Sequence, residues 1–241
     1  HNRNASFDVV SNPEFLREGS AIEDFMRPNR VIIGCENEKS KKIMENIYQP
    51  LNLIQTPILF TDLKSAELIK YASNAFLAMK ISFINQMADL CESLNTDIHF
   101  ISRGMGLDKR IGNKFLHHGP GYGGSCFPKD TIALSKIASD NNVNLSIINN
   151  VISYNKNRKK SLIIKINHIL GNDIKDMSVA VLGLSFKPGT DDMRESPSLD
   201  LIPSLVENVK EIKVYDPIAM DEASKYIKDV YFAENIEDCI E

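Results

Sequence analysis

The sequence predicts an α/β protein with a sheet-forming segment at each end and a helical middle. Three observations carry this. Short apolar runs bounded by turn residues occur at 7–10, 31–34 and 57–60, and again at 178–183 and 211–217, the pattern of buried strands. Helix-spaced segments alternate with them, as in a parallel sheet covered by helices. Between about 62 and 92 the chain runs without proline or glycine, which predicts one long helix.

The elements follow in order. FDVV, VIIG and PILF are the first three strands, with a helix over EKSKKIMENIYQPL between the last two. The loop SNPEFLREGSAIEDFMRPNR, after the first strand, is rich in carboxylates, with Glu14 and Glu18 four apart. Taken alone, these are solvated loop acids. In the long helix Ile69, Ala72, Phe76, Met79, Phe83, Met87 and Leu90 recur at three and four, an apolar stripe. About 30 residues of helix span about 45 Å, too long for one small core, so the segment predicts a domain connector or a dimer spine. Lys70 and Asn74 lie one turn apart on another face and can point at one place. On spacing alone, such a pair is solvated surface.

A short helix at 96–107 leads into a glycine-rich loop, 108–125, with Arg110, Phe115, His117 and His118. Adjacent histidines on an extended chain point to opposite faces, and no metal site is assigned. The loop ends in GYGGSCFPKD. Glycines let backbone approach another group closely, and Pro128 suits the first turn of a helix over the following KDTIALSKIASD. Cys126 is thus expected just outside a helix N-terminus with Lys129 near by, two features that favour a thiolate. The next helix, 144–169, bears KNRKK, read as a solvated face.

From Ser178, SVAVLG, PSLDLIPSLVEN and EIKVYDP read as strand, helix and strand, a βαβ unit of dinucleotide-fold type. Its turn, GLSFKPGTDDMRES, lacks the G-x-G-x-x-G fingerprint. Lys187 and Arg194 flank it and suit phosphate groups. Asp216 closes the second strand, where a plain strand-end turn is the simpler reading than a ribose contact.

Totals limit the function classes. The 241 residues are 43% hydrophobic and 25% charged with net charge −4, the balance of a globular domain and not of a nucleic-acid binder. No apolar run approaches the ~20 residues that cross a bilayer, and nothing resembles a signal peptide. Cys35, Cys91, Cys126 and Cys239 are scattered, without disulfide-framework or zinc spacing. Reduced thiols and a cytoplasmic protein are expected, with Cys35, Cys91 and Cys239 structural. The start at HNRNASFDVV, without methionine, and the close at DCIE predict a piece of a longer protein.

Four stretches in order, SNPEFLREGSAI, SAELIKYASNAFLAMKISFINQ, RIGNKFLHHGPGYGGSCFPKD and VAVLGLSFKPGTDDMRESPS, resemble the UDP-glucose 6-dehydrogenases of the UDP-glucose/GDP-mannose dehydrogenase family. The resemblance implies three parts. Residues 1–60 are the end of an N-terminal NAD-binding Rossmann domain, and 61–175 a central helical dimerisation and catalytic domain. Residues 176–241 are an incomplete C-terminal Rossmann-like UDP-binding domain. It also implies a homodimer, the cofactor NAD and the substrate UDP-glucose, with neither nucleic acid nor membrane as partner.

Oxidising a primary alcohol to an acid removes two hydrides, and the resemblance assigns the chemistry residue by residue. Cys126 is similar to the nucleophile that tethers the aldehyde as a thiohemiacetal and then a thioester. Lys70 and Asn74 resemble the groups that stabilise the oxyanion, Asp130 the carboxylate that positions water or moves protons, and Glu14 the residue assisting thioester hydrolysis. Phe15, Leu16, Phe115, Leu116, His117, His118, Gly119, Gly123, Phe186 and Lys187 resemble substrate contacts, with Arg110 reaching the partner subunit's substrate. Glu18, Lys129 and Arg194 resemble contacts on the NAD side. Rival readings are a GDP-mannose or UDP-N-acetylmannosamine dehydrogenase, or, for this stretch alone, a silent dimerisation or nucleotide-binding module.

Overall fold

The structure is a computed structural model that describes residues 6–54 and 56–241, apart from the side chains of 52–54, 172 and 173. The expected first segment, 1–60, therefore includes residues 1–5 and 55, which lie outside the described residues. The chain divides into two compact units, 1–73 and 74–241.

In the first unit, β1 (Val10–Ser11) pairs antiparallel with β2 (Val31–Cys35), which pairs parallel with β3 (Ile58–Thr61). Helix α1 (Ala21–Met26) lies between β1 and β2, and α2 (Glu38–Tyr48) after β2. The Asn37 side chain caps α2 by accepting the Ser40 N–H, one of the orphan donors of a helix start. VIIG is the buried strand of the three, with Val31, Ile32 and Ile33 in the core, each worth about 1.5–3 kcal/mol of burial. The expected strand over 7–10 is corrected: only Val10 and Ser11 pair, and Phe7 and Val9 are exposed. β1 is the antiparallel edge of the β1-β2-β3 sheet, and its pairing with β2 begins only at Val10.

The long helix is α3 (Leu63–Leu94), about 48 Å of continuous helix. Its apolar stripe is only partly its buried face. Phe76, Phe83 and Leu90 are exposed, whereas Ala75, Ala78, Ile84, Ala88 and Cys91 are buried with Asn74, Ser82 and Asn85. Small residues let neighbouring elements pack close on that side, with Ile84 in the core and Met79 and Met87 partly packed on it, while the aromatic members of the stripe and Leu90 are left outward.

Helices α4 (Ile98–Gly106), α5 (Phe127–Asp140) and α6 (Ser146–Leu170) complete the helical part. Leu116 packs with Ile84, Ala88, Cys91 and Ile98, and Tyr122 with Ala78 and Val151. KNRKK is only partly a solvated face, because Arg158 and Lys159 are buried at 6% and 5% exposure. The run spans more than one side of α6, and these two positions face the protein.

Beyond α6, β4 (Ser178–Leu182), α7 (Ser198–Val206), β5 (Glu211–Tyr215), α8 (Met220–Tyr226), β6 (Tyr231–Phe232) and α9 (Ile236–Ile240) form a parallel sheet, order β4-β5-β6, with its helices. Leu184, Ile202, Leu205, Ile212, Val214, Ala223 and Ile227 make its core. Among the described residues no helix is long and apolar enough to cross a membrane.

Asp216 holds this sheet's turn. Its carboxylate accepts the N–H groups of Leu184 (2.8 Å), Ser185 (3.2 Å), Ile218 (2.9 Å) and Ala219 (2.9 Å). This is the strand-end turn, with the acid used internally. Burial alone would push the carboxyl up, but these donors overcome it and hold Asp216 below the usual carboxylate range. A depressed folded value means stability that is present above the unfolded value of about 3.9 and lost as pH falls through the folded one. Asp216→Ala should therefore cost about 3 kcal/mol in urea unfolding at neutral pH, and the gap to wild type should narrow towards about pH 3. A gap constant with pH would contradict this role.

Candidate active site

The expected catalytic residues fall into two groups. In the first unit, the loop after β1 turns back on itself: the Glu14 carboxylate accepts the Leu16 N–H at 2.6 Å. Lys70, on α3, donates to Glu14 Oε1 at 3.0 Å and to the Glu14 carbonyl. Its ammonium also lies 5.4 Å from the Phe15 ring centre, and the Arg30 guanidinium stacks on the same ring at 3.9 Å, favourable cation–π placements. Lys70 and Glu14 are thus brought together. Glu18 lies exposed on the turn before α1.

In the second unit, Cys126 is the N-cap of α5, with Pro128 in the first turn, as its sequence position predicts. The thiol lies 3.7 Å from the Ser125 hydroxyl and is half-buried. Cys91 and Cys239 are buried, and burial pushes the Cys239 thiol up. One turn into α5, Asp130 is buried at 3% exposure and accepts the Asn74 amide N–H at 2.6 Å. Asn74 is itself buried, so it is not the solvated surface its spacing alone suggested. A buried carboxylate needs a donor, and Asn74 is that donor. Lys129 points to solvent, its ammonium 3.8 Å from Asp130 Oδ1.

The loop before Cys126 is held from below. Asn85 accepts the Gly119 N–H at 2.7 Å, and Gly124 donates to the Arg194 carbonyl at 2.8 Å. A Cβ on Gly123 would lie 2.4 Å from the Glu195 carbonyl oxygen, and one on Gly124 2.7 Å from the Phe186 ring. These glycines are required by the loop's passage against the 186–195 turn. Residues 119–124, GPGYGG, match G-x-G-x-x-G literally, yet the N–H groups of Gly119, Tyr122 and Gly124 are spent on protein acceptors, so the loop is no dinucleotide cradle. Phe115 takes a positive φ of 62°, an outlier for a bulky residue, with its ring 6.0 Å from that of Phe127.

The other sequence-predicted residues are placed as follows. His117 and His118 are exposed, and the His118 ring meets His99 edge-on at 5.3 Å. The Leu116 side chain is buried in the helical core, which leaves its backbone for any ligand. Arg110 is exposed and pairs with Asp108 at 2.6 Å. Arg194 forms a two-pronged pair with Asp192, both contacts 2.8 Å, while remaining 59% exposed. Lys187 is half-buried in a turn whose carbonyl at that residue accepts from Ser185 and Thr190. Among the described residues no cluster of three or more His, Cys, Asp or Glu side chains forms a metal site. Sequence reasoning missed Asn85, Asn155, Arg158 and Lys159. Asparagine inside a regular helix is disfavoured unless it bonds something, and that signal marks Asn74, Asn85 and Asn155, though exposed Asn157 shows it is not selective.

Comparison with known proteins follows this geometry. Sequence models of the UDP-glucose/GDP-mannose dehydrogenase family match in chain order: the NAD binding domain at 1–52, the central domain at 64–157 and the UDP binding domain at 180–241. A UDP-glucose 6-dehydrogenase of Rhizobium meliloti is 50% identical over 226 residues, covering 93% of this chain and 52% of that protein. A UDP-glucose dehydrogenase structure from Pyrobaculum islandicum superposes with TM-score 0.91 at 39% identity, covering 96% of this chain and 53% of the other. For a UDP-D-ManNAc dehydrogenase structure from Pyrococcus horikoshii the TM-score is 0.80 at 25% identity, covering 99% and 53%. The chain thus spans about half the length of the relatives it matches. With all three domains of one family matched in order along it, the chain belongs to the UDP-glucose/GDP-mannose dehydrogenase family.

Proposed function

We propose that the protein of which this chain is part oxidises UDP-glucose to UDP-glucuronate, with Cys126 as covalent nucleophile. The observation that carries this is the trio at the start of α5: a half-buried thiol at the N-cap, buried Asp130 one turn on, and Asn74 donating to that carboxylate. The 50% identical relative named UDP-glucose 6-dehydrogenase and the 0.91 TM-score support the choice of sugar over the acetylmannosamine reading.

NAD, when bound, supplies the hydride acceptor for both oxidations. Exposed Lys129 and Arg194 suit its phosphates, and Arg194 is pre-oriented by Asp192. The chain's own residues do the rest. As the C6 hydroxyl gives up its proton to solvent water and its hydride to the acceptor, Lys70 supplies positive charge to the alkoxide oxygen that forms on the way to the aldehyde. Cys126 Sγ then adds to the aldehyde carbon, forming a C–S bond and an oxyanion, the thiohemiacetal. Loss of the second hydride leaves a thioester. Asp130, aligned by Asn74, takes a proton from water attacking that carbonyl. The C–S bond breaks, and the acid leaves with the thiolate restored. Glu14, in this reading, assists the hydrolysis, and Lys187 meets the UDP phosphates. The four free thiols support a cytoplasmic setting.

The same reading includes a homodimer built on α3. What supports it is the outward row of Phe76, Phe83 and Leu90, seven apart on one helix and exposed in the single chain. Sedimentation of the full-length protein at micromolar concentration should show a dimer, and Phe83→Glu should yield monomer. A wild-type monomer under those conditions would contradict it.

The chemistry is tested by counting. Full-length wild type should make two NADH per UDP-glucose consumed and release no aldehyde. Cys126→Ala should lose turnover to the acid by about 10⁴–10⁶, as other covalent-catalysis knockouts do, with any carbonyl formed trapped by a hydrazine. An alanine variant that still makes UDP-glucuronate at a tenth of the normal rate would remove Cys126 from the mechanism.

A further inference from the structure

Three buried residues of α6 lie at positions i, i+3 and i+4, one face of the helix, and all three reach beyond it to the segments expected to hold the nucleotide sugar. Asn155 pairs with both backbone groups of Tyr122, donating to its carbonyl at 3.0 Å and accepting its N–H at 2.8 Å. Arg158 donates through Nε to the Gly119 carbonyl at 3.1 Å, with its other side on Asp89. Lys159 donates to the Glu195 carbonyl at 2.8 Å and to its carboxylate at 2.9 Å, with Asp200 at 3.7 Å.

Lys159 binds the more telling partner. Glu195 holds φ at 55°, a conformation uncommon for a residue with a side chain and retained where the surroundings enforce it. Its carbonyl is the oxygen against which Gly123 packs. That carbonyl therefore sits between the Lys159 ammonium and the loop that ends at Cys126. The loop at this junction carries Gly123 and, earlier along the chain, Phe115 to Gly119; the turn carries Phe186, which also meets the Gly123 position, and Lys187. Lys159, 5% exposed, lies beneath the junction, where it bonds protein rather than ligand. A buried ammonium is retained only when its donors are met, so the contact fixes the Glu195 carbonyl, and through it the place where the loop packs.

We propose that Lys159 is a positioning residue that keeps the loop ahead of Cys126 in register with the turn carrying Lys187, and so sets the affinity for the nucleotide diphosphate sugar. The inference rests on the functional reading above. Its test is calorimetric titration of the full-length protein with UDP-glucose in the absence of NAD, where no chemistry follows binding. Lys159→Met should weaken binding about tenfold, because loss of register costs ligand contacts that the variant residue never makes. Lys159→Arg, which keeps charge and donors, should recover most of the loss. Glu195→Gln, a change at an exposed carboxylate, should fall between them. In steady state with NAD, KM for UDP-glucose should rise more than kcat falls in Lys159→Met.

Wild-type Kd in Lys159→Met would overturn the inference alone. If that variant does not fold, a wild-type Kd in Glu195→Gln overturns it instead. Arginine as damaging as methionine would also overturn it, by making the effect one of packing. A wild-type protein that binds neither UDP nor UDP-glucose would overturn the functional reading, and this inference with it.

Discussion

The close passage of residues 121–124 against the 186–195 turn is the constraint on which the second unit's site depends. Backbone meets backbone there, with the Gly124 N–H on the Arg194 carbonyl and no room for a side chain at 123. This explains why a cysteine follows a glycine run. The run is needed for the loop to lie under the turn, and its end is where α5 begins. Cys126 inherits its place at the N-cap from that crossing, and Asp130 its place one turn into the helix. The same crossing ties the segment that ends at Cys126 to the turn that carries Lys187.

Buried charge is the second theme, and each case is met by specific partners. Asp130 has Asn74, Asp216 has four backbone donors, Arg158 has Asp89 and the Gly119 carbonyl, and Lys159 has Glu195. Unpaired, each would be strongly destabilising. Paired, they pin loops that otherwise have little apolar surface to hold them. Asp89 gathers Arg158, Lys165 and the Tyr154 hydroxyl. Burial, with the Asp89 charge beside it, pushes the Tyr154 phenol up to about 12, so the phenol stays a donor to Asp89 across the physiological range.

Much of this was legible in the residues, for identifiable reasons. VIIG, the proline-free stretch of α3, and the Pro128 helix start depend on local pattern, and local pattern is what a sequence displays. The apolar residues of α3 marked a long helix but not the face that packs within this chain; alanines at 75, 78 and 88 mark that side. KNRKK misled because charge predicts solvent unless partners exist, and the partners Asp89 and Glu195 lie far along the chain. The pairing of Glu14 with Lys70 and of Asn74 with Asp130 joins residues 56 apart. No spacing rule reaches that far, and only the family's motif order pointed to them.

The central claim is that carbon is held on Cys126 during oxidation. The direct measurement is peptide mass mapping of full-length Asp130→Asn protein quenched in acid during reaction with UDP-glucose and NAD. The account predicts a UDP-glucuronyl thioester on the peptide containing Cys126, discharged by hydroxylamine. No adduct on that peptide while NADH accumulates, or an adduct on Cys35, Cys91 or Cys239 instead, would contradict it.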